Sequence, residues 1–228
     1  MWQSLLKTAA ATVAFGAVHS ALASRPVKRA AEEIFGRRAR NGLYRPLYVA
    51  GSIVATSALA KSIGRLPDRE LYHVRGPLAT WMRLGQAAGL AYMAWGASTV
   101  GWKRITGLQG LEALKDGEAE VPREPEAQGP APGPDGRFRP EGPFAQSRHP
   151  LNLSPLPVLW LEPRMTANQL AFNLIATAYL VLGSRHEESR LREAYGPAYE
   201  AYRRSDVPFY VPSTASTLRS IAGVPAGR

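Results

Sequence analysis

The chain has no cysteine, only four histidines, and 18 acidic residues against 28 basic ones in 228. Without cysteine there is no disulfide, no thiolate metal site and no thiol nucleophile, and the redox compartment leaves no mark. The histidines, His19, His73, His149 and His186, show no metal-ligand spacing, so no metal is expected. The shortage of acid leaves a formal charge of +10. Such a charge admits nucleic acid, an acidic partner or an anionic membrane surface. A mean hydropathy of −0.19 suggests a soluble protein, but the average hides strongly apolar blocks alternating with strongly polar ones.

Five blocks carry the apolar residues. Residues 8–24 (TAAATVAFGAVHSALAS) contain His19 as their one ionisable group, and residues 47–60 (LYVAGSIVATSALA) and 84–102 (LGQAAGLAYMAWGASTVGW) are uncharged. Residues 151–161 (LNLSPLPVLWL) hold two prolines, and residues 165–184 (MTANQLAFNLIATAYLVLGS) complete the set. A spanning helix needs about 20 apolar residues, and shorter blocks are core or re-entrant segments. The reading is therefore all-α, an integral membrane bundle of about five transmembrane helices. The fourth and fifth form a hairpin turning at Glu162-Pro163-Arg164. The blocks lack the polar face of a soluble amphipathic helix. Small residues (Gly16, Gly51, Gly85, Gly89, Gly96) take its place, as close helix packing in lipid favours. The first block ends in a cleavage-like Ala21-Leu22-Ala23, yet is expected to be retained.

Bases near the helix ends set the orientation. Residues 25–45 carry Arg25, Lys28, Arg29, Arg37, Arg38, Arg40 and Arg45, whereas 61–83 dilute their bases with Asp68 and Glu70. Alternation puts the N-terminus outside and the C-terminus in the cytoplasm. The positive charge then reports topology and contact with membrane lipids, and nucleic acid is not expected. Residues 116–143, rich in Pro, Gly and Glu, read as a disordered cytoplasmic loop.

Candidate chemistry lies between Gly142 and Pro212. Arg148 and His149 sit at one mouth of the Pro-broken hairpin, and Glu187 and Glu188 at the end of the helix that follows. Both ends of a hairpin face one side, so the two clusters can converge. Ionisable groups at a membrane edge are functional candidates. The plain alternative is interfacial anchoring by Arg148 and His149 and solvation of a helix end by the glutamates.

Arg148-His149-Pro150, the apolar hairpin, Glu187-Glu188, Leu191, Tyr195-Gly196, Tyr199 and Tyr202 together resemble the isoprenylcysteine carboxyl methyltransferase and phospholipid methyltransferase superfamily. There, R-H-P-x-Y-x-G and E-E-x-x-L-x-x-x-(F/Y)-G-x-x-Y-x-x-Y frame an S-adenosylmethionine site. His19 through Lys28, Tyr44-Arg45, Trp160 and Pro163-Arg164-Met165-Thr166 are similar to the methanethiol S-methyltransferase and denitrification-associated membrane branch. The resemblance covers nearly the whole chain except 105–141. It implies a membrane region of three helices (1–104), a cytoplasmic loop (105–141), a methyltransferase-like hairpin with its C-terminal helix (142–212) and a tail (213–228).

It further implies S-adenosylmethionine-dependent methyl transfer to a small thiol or lipid-like acceptor, at the cytoplasmic face of a bacterial inner membrane. Arg148 would fork to the cofactor carboxylate, and Glu187 or Glu188 would accept from its ammonium or ribose. His149 would orient the cofactor or act as a base, with Asn152 beside it as the second catalytic candidate. The sequence departs from the motif at two places: Asn152 stands where the family has Tyr, and Ser154, followed by Pro155, where it has Gly. Gly permits close backbone approach to a ligand, and Asn offers no aromatic face to a sulfonium. The alternative implied by these departures is a catalytically degenerate homologue, a structural subunit among other membrane-protein subunits of a respiratory or photosynthetic complex.

Overall fold

A computed structural model describes residues 1–123, 129, 132–133, 135–138 and 140–221, the side chains of 215 and 219–221 excepted. They are mostly helical. In order they form α1 (Trp2–Ala23), α2 (Arg25–Phe35), α3 (Arg37–Gly64), β1 (Glu70–His73), α4 (Gly76–Val100), α5 (Trp102–Thr106) and α6 (Leu108–Lys115). A 3-10 turn (Gly142–Ala145), α7 (Pro150–Leu153), α8 (Pro155–Trp160), β2 (Arg164–Thr166), α9 (Ala167–Arg204) and α10 (Thr214–Ile221) follow. The chain divides into two compact units, each discontinuous in sequence. One comprises Met1–His73, Trp102–Pro125 and Arg164–Tyr179, and the other Val74–Gly101, Glu126–Pro163 and Leu180–Arg228.

In the first unit, α1 is inside out by the standard of a soluble helix. Ser4, Thr8, Thr12 and Gly16, four residues apart, are its buried residues, while Leu6, Val13 and Val18 are exposed. Residues at i and i+4 share a helix face, so a small, polar stripe faces protein and the apolar side chains face outward. That is the arrangement a helix takes in lipid. In α3, Leu47, Ile53 and Val54 are likewise exposed. Among the described residues, α1 and α3 are the helices long and apolar enough to cross a membrane. The blocks expected as third and fifth spans are helical within α4 and α9. The fourth is broken into α7 and α8, with Pro155 opening the second of them.

The C-terminal end of α1 abuts the N-terminal part of α3. The Tyr48 hydroxyl lies 2.7 Å from His19 Nε2, the Ser52 hydroxyl lies 3.2 Å from its Nδ1, and Tyr44 donates to the Leu22 carbonyl. The sequence marks 61–83 as a polar connection and 162–164 as the turn of the hairpin. Parts of both in fact pair: β1 and β2 form an antiparallel ribbon with Glu70 opposite Thr166 and His73 opposite Arg164. An Arg164–Glu70 contact of 2.7 Å reinforces it. A pairing of three residue pairs this far apart in sequence leaves no periodic trace.

Of the segment expected to be disordered, 116–143, residues 124–128, 130–131, 134 and 139 lie outside the described residues, as do 222–228 of the tail. The remainder makes defined contacts. Val121 is buried, and its carbonyl accepts from the Asn41 amide at 2.9 Å.

In the second unit, α4 packs on α7 and α8 through the expected small residues. A Cβ at Gly85 would collide with Leu161, one at Gly89 would lie 2.9 Å from the Ser154 carbonyl oxygen, and one at Gly96 would lie 3.0 Å from Leu151. The core of this unit gathers Leu191, Tyr199, Tyr202 and Val207, with Phe138 and Tyr195 packed against it. What folds the chain over that core is Gly196, at φ 49° inside α9. Glycine takes that conformation without steric cost, and Pro197, with its fixed φ, restarts the helix.

Candidate active site

The site lies wholly within the second unit. His149 caps α7 and Pro150 occupies its first turn, where the missing N–H costs nothing. The preceding strand of backbone is fastened to residues 207–209: the Arg148 amide donates to the Pro208 carbonyl at 2.9 Å, and Arg148 Nη1 donates to the Val207 carbonyl at 2.9 Å. Opposite it, α9 presents Ser184, Glu187, Glu188 and Leu191. Their spacing of three, four and seven residues places them on one helical face. Beyond the Gly196 break, Tyr199 and Tyr202 return to the same place.

Arg148 Nε contacts Glu188 Oε1 at 2.8 Å. His149, 1% exposed at its side chain, has a carboxylate at each ring nitrogen: Nδ1 is 3.4 Å from Glu187 Oε2 and Nε2 is 3.4 Å from Glu188 Oε1. The Asn152 amide donates to Ser184 Oγ at 2.8 Å and to Glu187 Oε2 at 3.2 Å. Ser184 Oγ in turn lies 3.0 Å from the Tyr210 hydroxyl. One continuous polar chain therefore runs Tyr210–Ser184–Asn152–Glu187–His149–Glu188–Arg148. Phe209 supports it, its ring 4.8 Å from His149 and 5.7 Å beneath the Arg148 guanidinium, within cation–π range.

The electrostatics follow from this packing. Burial works to lower the His149 pKa, but hydrogen bonds to Glu187 and Glu188 and their charges outweigh it and raise the value above 6.5. For Glu188, burial works upward, while His149 and Arg148 lower it from 4.5 to about 2. Two acids, one permanent cation and a histidine favoured as imidazolium leave the cluster close to neutral. Tyr199 has its phenol pKa raised by burial, with the Glu188 charge adding to it. Its hydroxyl is buried near Glu188 and makes no well-formed hydrogen bond among the described residues.

Arg148, His149, Asn152 and Glu187 line one cavity together with Phe138, Phe144, Tyr199 and Tyr202. Glu188 lies directly behind, on Arg148 and His149. All five residues singled out in the sequence are thus brought together. Ser154 does not line the cavity. It is 2% exposed, and its hydroxyl turns back to the Pro150 carbonyl. Sequence reasoning did not single out Ser184 or Tyr210. Ser184 is one turn before Glu187 and could have been found by helical spacing, whereas nothing local marks Tyr210, which arrives from a loop.

The fold and the site define a helical protein with two membrane-length helices and a charged cavity walled by aromatic rings. Comparison with known proteins narrows this. The chain is 29% identical to a methanethiol S-methyltransferase of Pseudomonas deceptionensis, over 75% of its own length and 64% of the relative's. It is 45% identical to methanethiol S-methyltransferase 2 of Bradyrhizobium diazoefficiens over 32% of its length and 28% of the relative's. It is 40% identical to a methanethiol S-methyltransferase of Mycobacterium tuberculosis over 25% of its length and 23% of the relative's. The chain thus spans less than two thirds of the length of these relatives. By these similarities the chain resembles the methanethiol S-methyltransferase branch of the methyltransferase superfamily. No family model matches the chain, and no solved structure matches it.

Proposed function

We propose that the chain is an S-adenosylmethionine-dependent methyltransferase of a bacterial inner membrane, acting on a small thiol at the cytoplasmic face. The relatives' name points to methanethiol as the acceptor, with a small thiol or lipid-like acceptor as the wider class. The observation that carries the reading is the cluster of Arg148, His149, Glu187 and Glu188 at a cavity containing a buried Tyr199 hydroxyl that makes no well-formed hydrogen bond among the described residues. A polar atom so placed calls for a polar ligand, because leaving it unsatisfied costs roughly 1–3 kcal/mol.

The residues fit the cofactor. Arg148 commits Nε to Glu188 and Nη1 to Val207, which leaves Nη2 for a carboxylate. Glu187 offers carboxylate oxygen to an ammonium or a ribose diol. S-adenosylmethionine would supply an electrophilic methyl group, so the chain has to bind, align and exclude water rather than generate a strong base. The raised pKa of His149 agrees with that: it holds Glu187 and Glu188 as a charged positioning group. Ser154 turns away from the cavity, so replacement of the family's glycine does not fill it. The similarities do not favour the structural-subunit alternative.

A bundle of about five spans, with the N-terminus outside, remains our topology. The β1–β2 ribbon supports it, because it holds together two connections that alternation assigns to one face. Isothermal titration of S-adenosylmethionine into the detergent-purified chain, followed by chromatography for dimethyl sulfide with methanethiol present, tests the proposal. Micromolar binding and turnover are expected. Absence of binding to the folded wild-type chain would overturn it.

A further inference from the structure

Helix α2 has no assigned role in this site, and its composition is unlike that of its neighbours. At 100° per residue, Pro26, Val27, Ala30, Ala31, Ile34 and Phe35 fall in one half of the helix, and the charged residues fall in the other. A soluble helix of this kind buries its apolar half, but no residue of α2 is buried. Ile34 is 72% exposed and Phe35 is 69% exposed.

Its position says what the exposed face meets. α2 is the link between α1 and α3, the two membrane-length helices. The contacts of His19 with Tyr48 and of Leu22 with Tyr44 show that the end of α1 and the start of α3 lie side by side. α2 is therefore at their shared end. The 22 residues of α1 give a helix of about 33 Å, close to the hydrocarbon thickness of about 30 Å. That length leaves α2 at the bilayer boundary. Gly36, at φ 80°, makes the turn that lets α3 leave at a new angle. Over residues 25–45 seven bases face two acids, Glu32 and Glu33. Glu32 is taken by Arg37 at 3.0 Å, and Arg29 and Arg38 are exposed.

We propose that α2 is an interfacial anchor docked on the anionic-phospholipid surface of the bilayer. Ile34 enters the acyl boundary, and Arg29 and Arg38 engage the headgroup phosphates. An amphipathic helix with a basic polar face binds in this way, through buried apolar area and attraction to anionic lipid. The anchor is independent of the methyl-transfer reading, since it uses only the geometry of α1, α2 and α3.

The absence of cysteine permits a clean test. Ile34→Cys, at an exposed position, is labelled with bimane in the full-length chain. The protein is then reconstituted in nanodiscs of phosphatidylcholine, alone or with phosphatidylglycerol. With the anionic lipid, iodide quenching should fall to about half or less, quenching by spin-labelled acyl chains should rise, and high salt should reverse both. Arg29→Gln with Arg38→Gln should abolish the difference between the two discs. Equal iodide access in both discs, or an unchanged response in the double variant, overturns the proposal. So does shielding that instead tracks protein concentration, which would assign the face to a second copy of the chain.

Discussion

Arg148 and Glu188 are 40 residues apart in the chain and meet at 2.8 Å, with Glu188 Oε1 also 3.4 Å from His149 Nε2. One carboxylate thus joins the loop before α7 to the middle of α9. Arg148→Ala would leave Glu188 short of its strongest partner and remove the donor proposed for the cofactor carboxylate. Truncating one member of a hydrogen-bonded charge pair at a binding site costs about 2–5 kcal/mol, a loss of affinity of roughly 30-fold or more. Arg148→Lys should recover only part of it, since an ammonium cannot reproduce the guanidinium fork. Titration calorimetry on both variants, with circular dichroism to confirm folding, checks this. Unchanged affinity in Arg148→Ala would remove Arg148 from the site.

The pH dependence of stability should be bounded on both sides. The folded state raises the pKa of His149 above 6.5, so its contribution is full below that value and is lost as pH rises through the raised one. It lowers Glu188 from 4.5 to about 2, so that contribution is full above 4.5 and is lost as pH falls toward about 2. The stabilising effect of the cluster is then greatest between about pH 4.5 and 6.5. Melting temperatures of the wild type and His149→Gln, measured from pH 4 to 9 in one detergent, should differ most in that window and converge above it. A difference independent of pH would mean that His149 is not held as a cation.

Helical packing gives a third expectation. Gly89→Leu would drive a branched side chain into the Ser154 carbonyl, which a bare Cβ already approaches to 2.9 Å. Overpacking of this kind costs about 1–3 kcal/mol and would displace α7, which begins beside His149. Cofactor affinity should therefore fall together with thermal stability. At Gly51, inside α3, a Cβ meets nothing within 4 Å, so Gly51→Ala should stabilise by about 0.5–1 kcal/mol through helix propensity. Equal effects at the two positions would deny the close approach.

Legibility of the sequence divides along a physical line. Where a segment's own pattern decides its fate, reading it succeeds. The apolar blocks are helical, Gly85 and Gly89 mark a close contact, and the paired motifs Arg148-His149 and Glu187-Glu188 converge. Each depends on helical periodicity or on charge at a helix end. Where structure depends on a remote partner, the sequence is silent. β1 and β2 are too short to show alternation, and each becomes a strand only because the other is there. Val121 and Phe138 lie in a segment whose Pro and Gly content reads as disorder, yet Phe138 packs its ring on Tyr195, Tyr199 and Tyr202 at 5.3, 5.8 and 5.7 Å. Gly196 stands in the motif, but the sequence does not mark it as a break or show its consequence, the return of Tyr199 and Tyr202 over the site.

Asn152 is a place where the chain departs from the motif of the superfamily it resembles, and its contacts say how the departure is accommodated. Its amide donates to both Ser184 and Glu187, and Ser184 passes the chain on to Tyr210. If Asn152 acts by holding Glu187 toward the cavity, Asn152→Ala and Ser184→Ala interrupt the same linkage and their effects cannot add. Contacting residues in one network couple by about 0.5–3 kcal/mol, whereas each single loss of a hydrogen bond costs about 1 kcal/mol. A double-mutant cycle on S-adenosylmethionine affinity reads this directly: the double variant should bind only slightly worse than the weaker single one. Asn152→Tyr should bring back the family's aromatic face while losing the hold on Ser184. It should help affinity only if the sulfonium, rather than Glu187, is what position 152 serves. Additive losses in the cycle would show that Asn152 and Ser184 act separately, and would remove Asn152 from the positioning network.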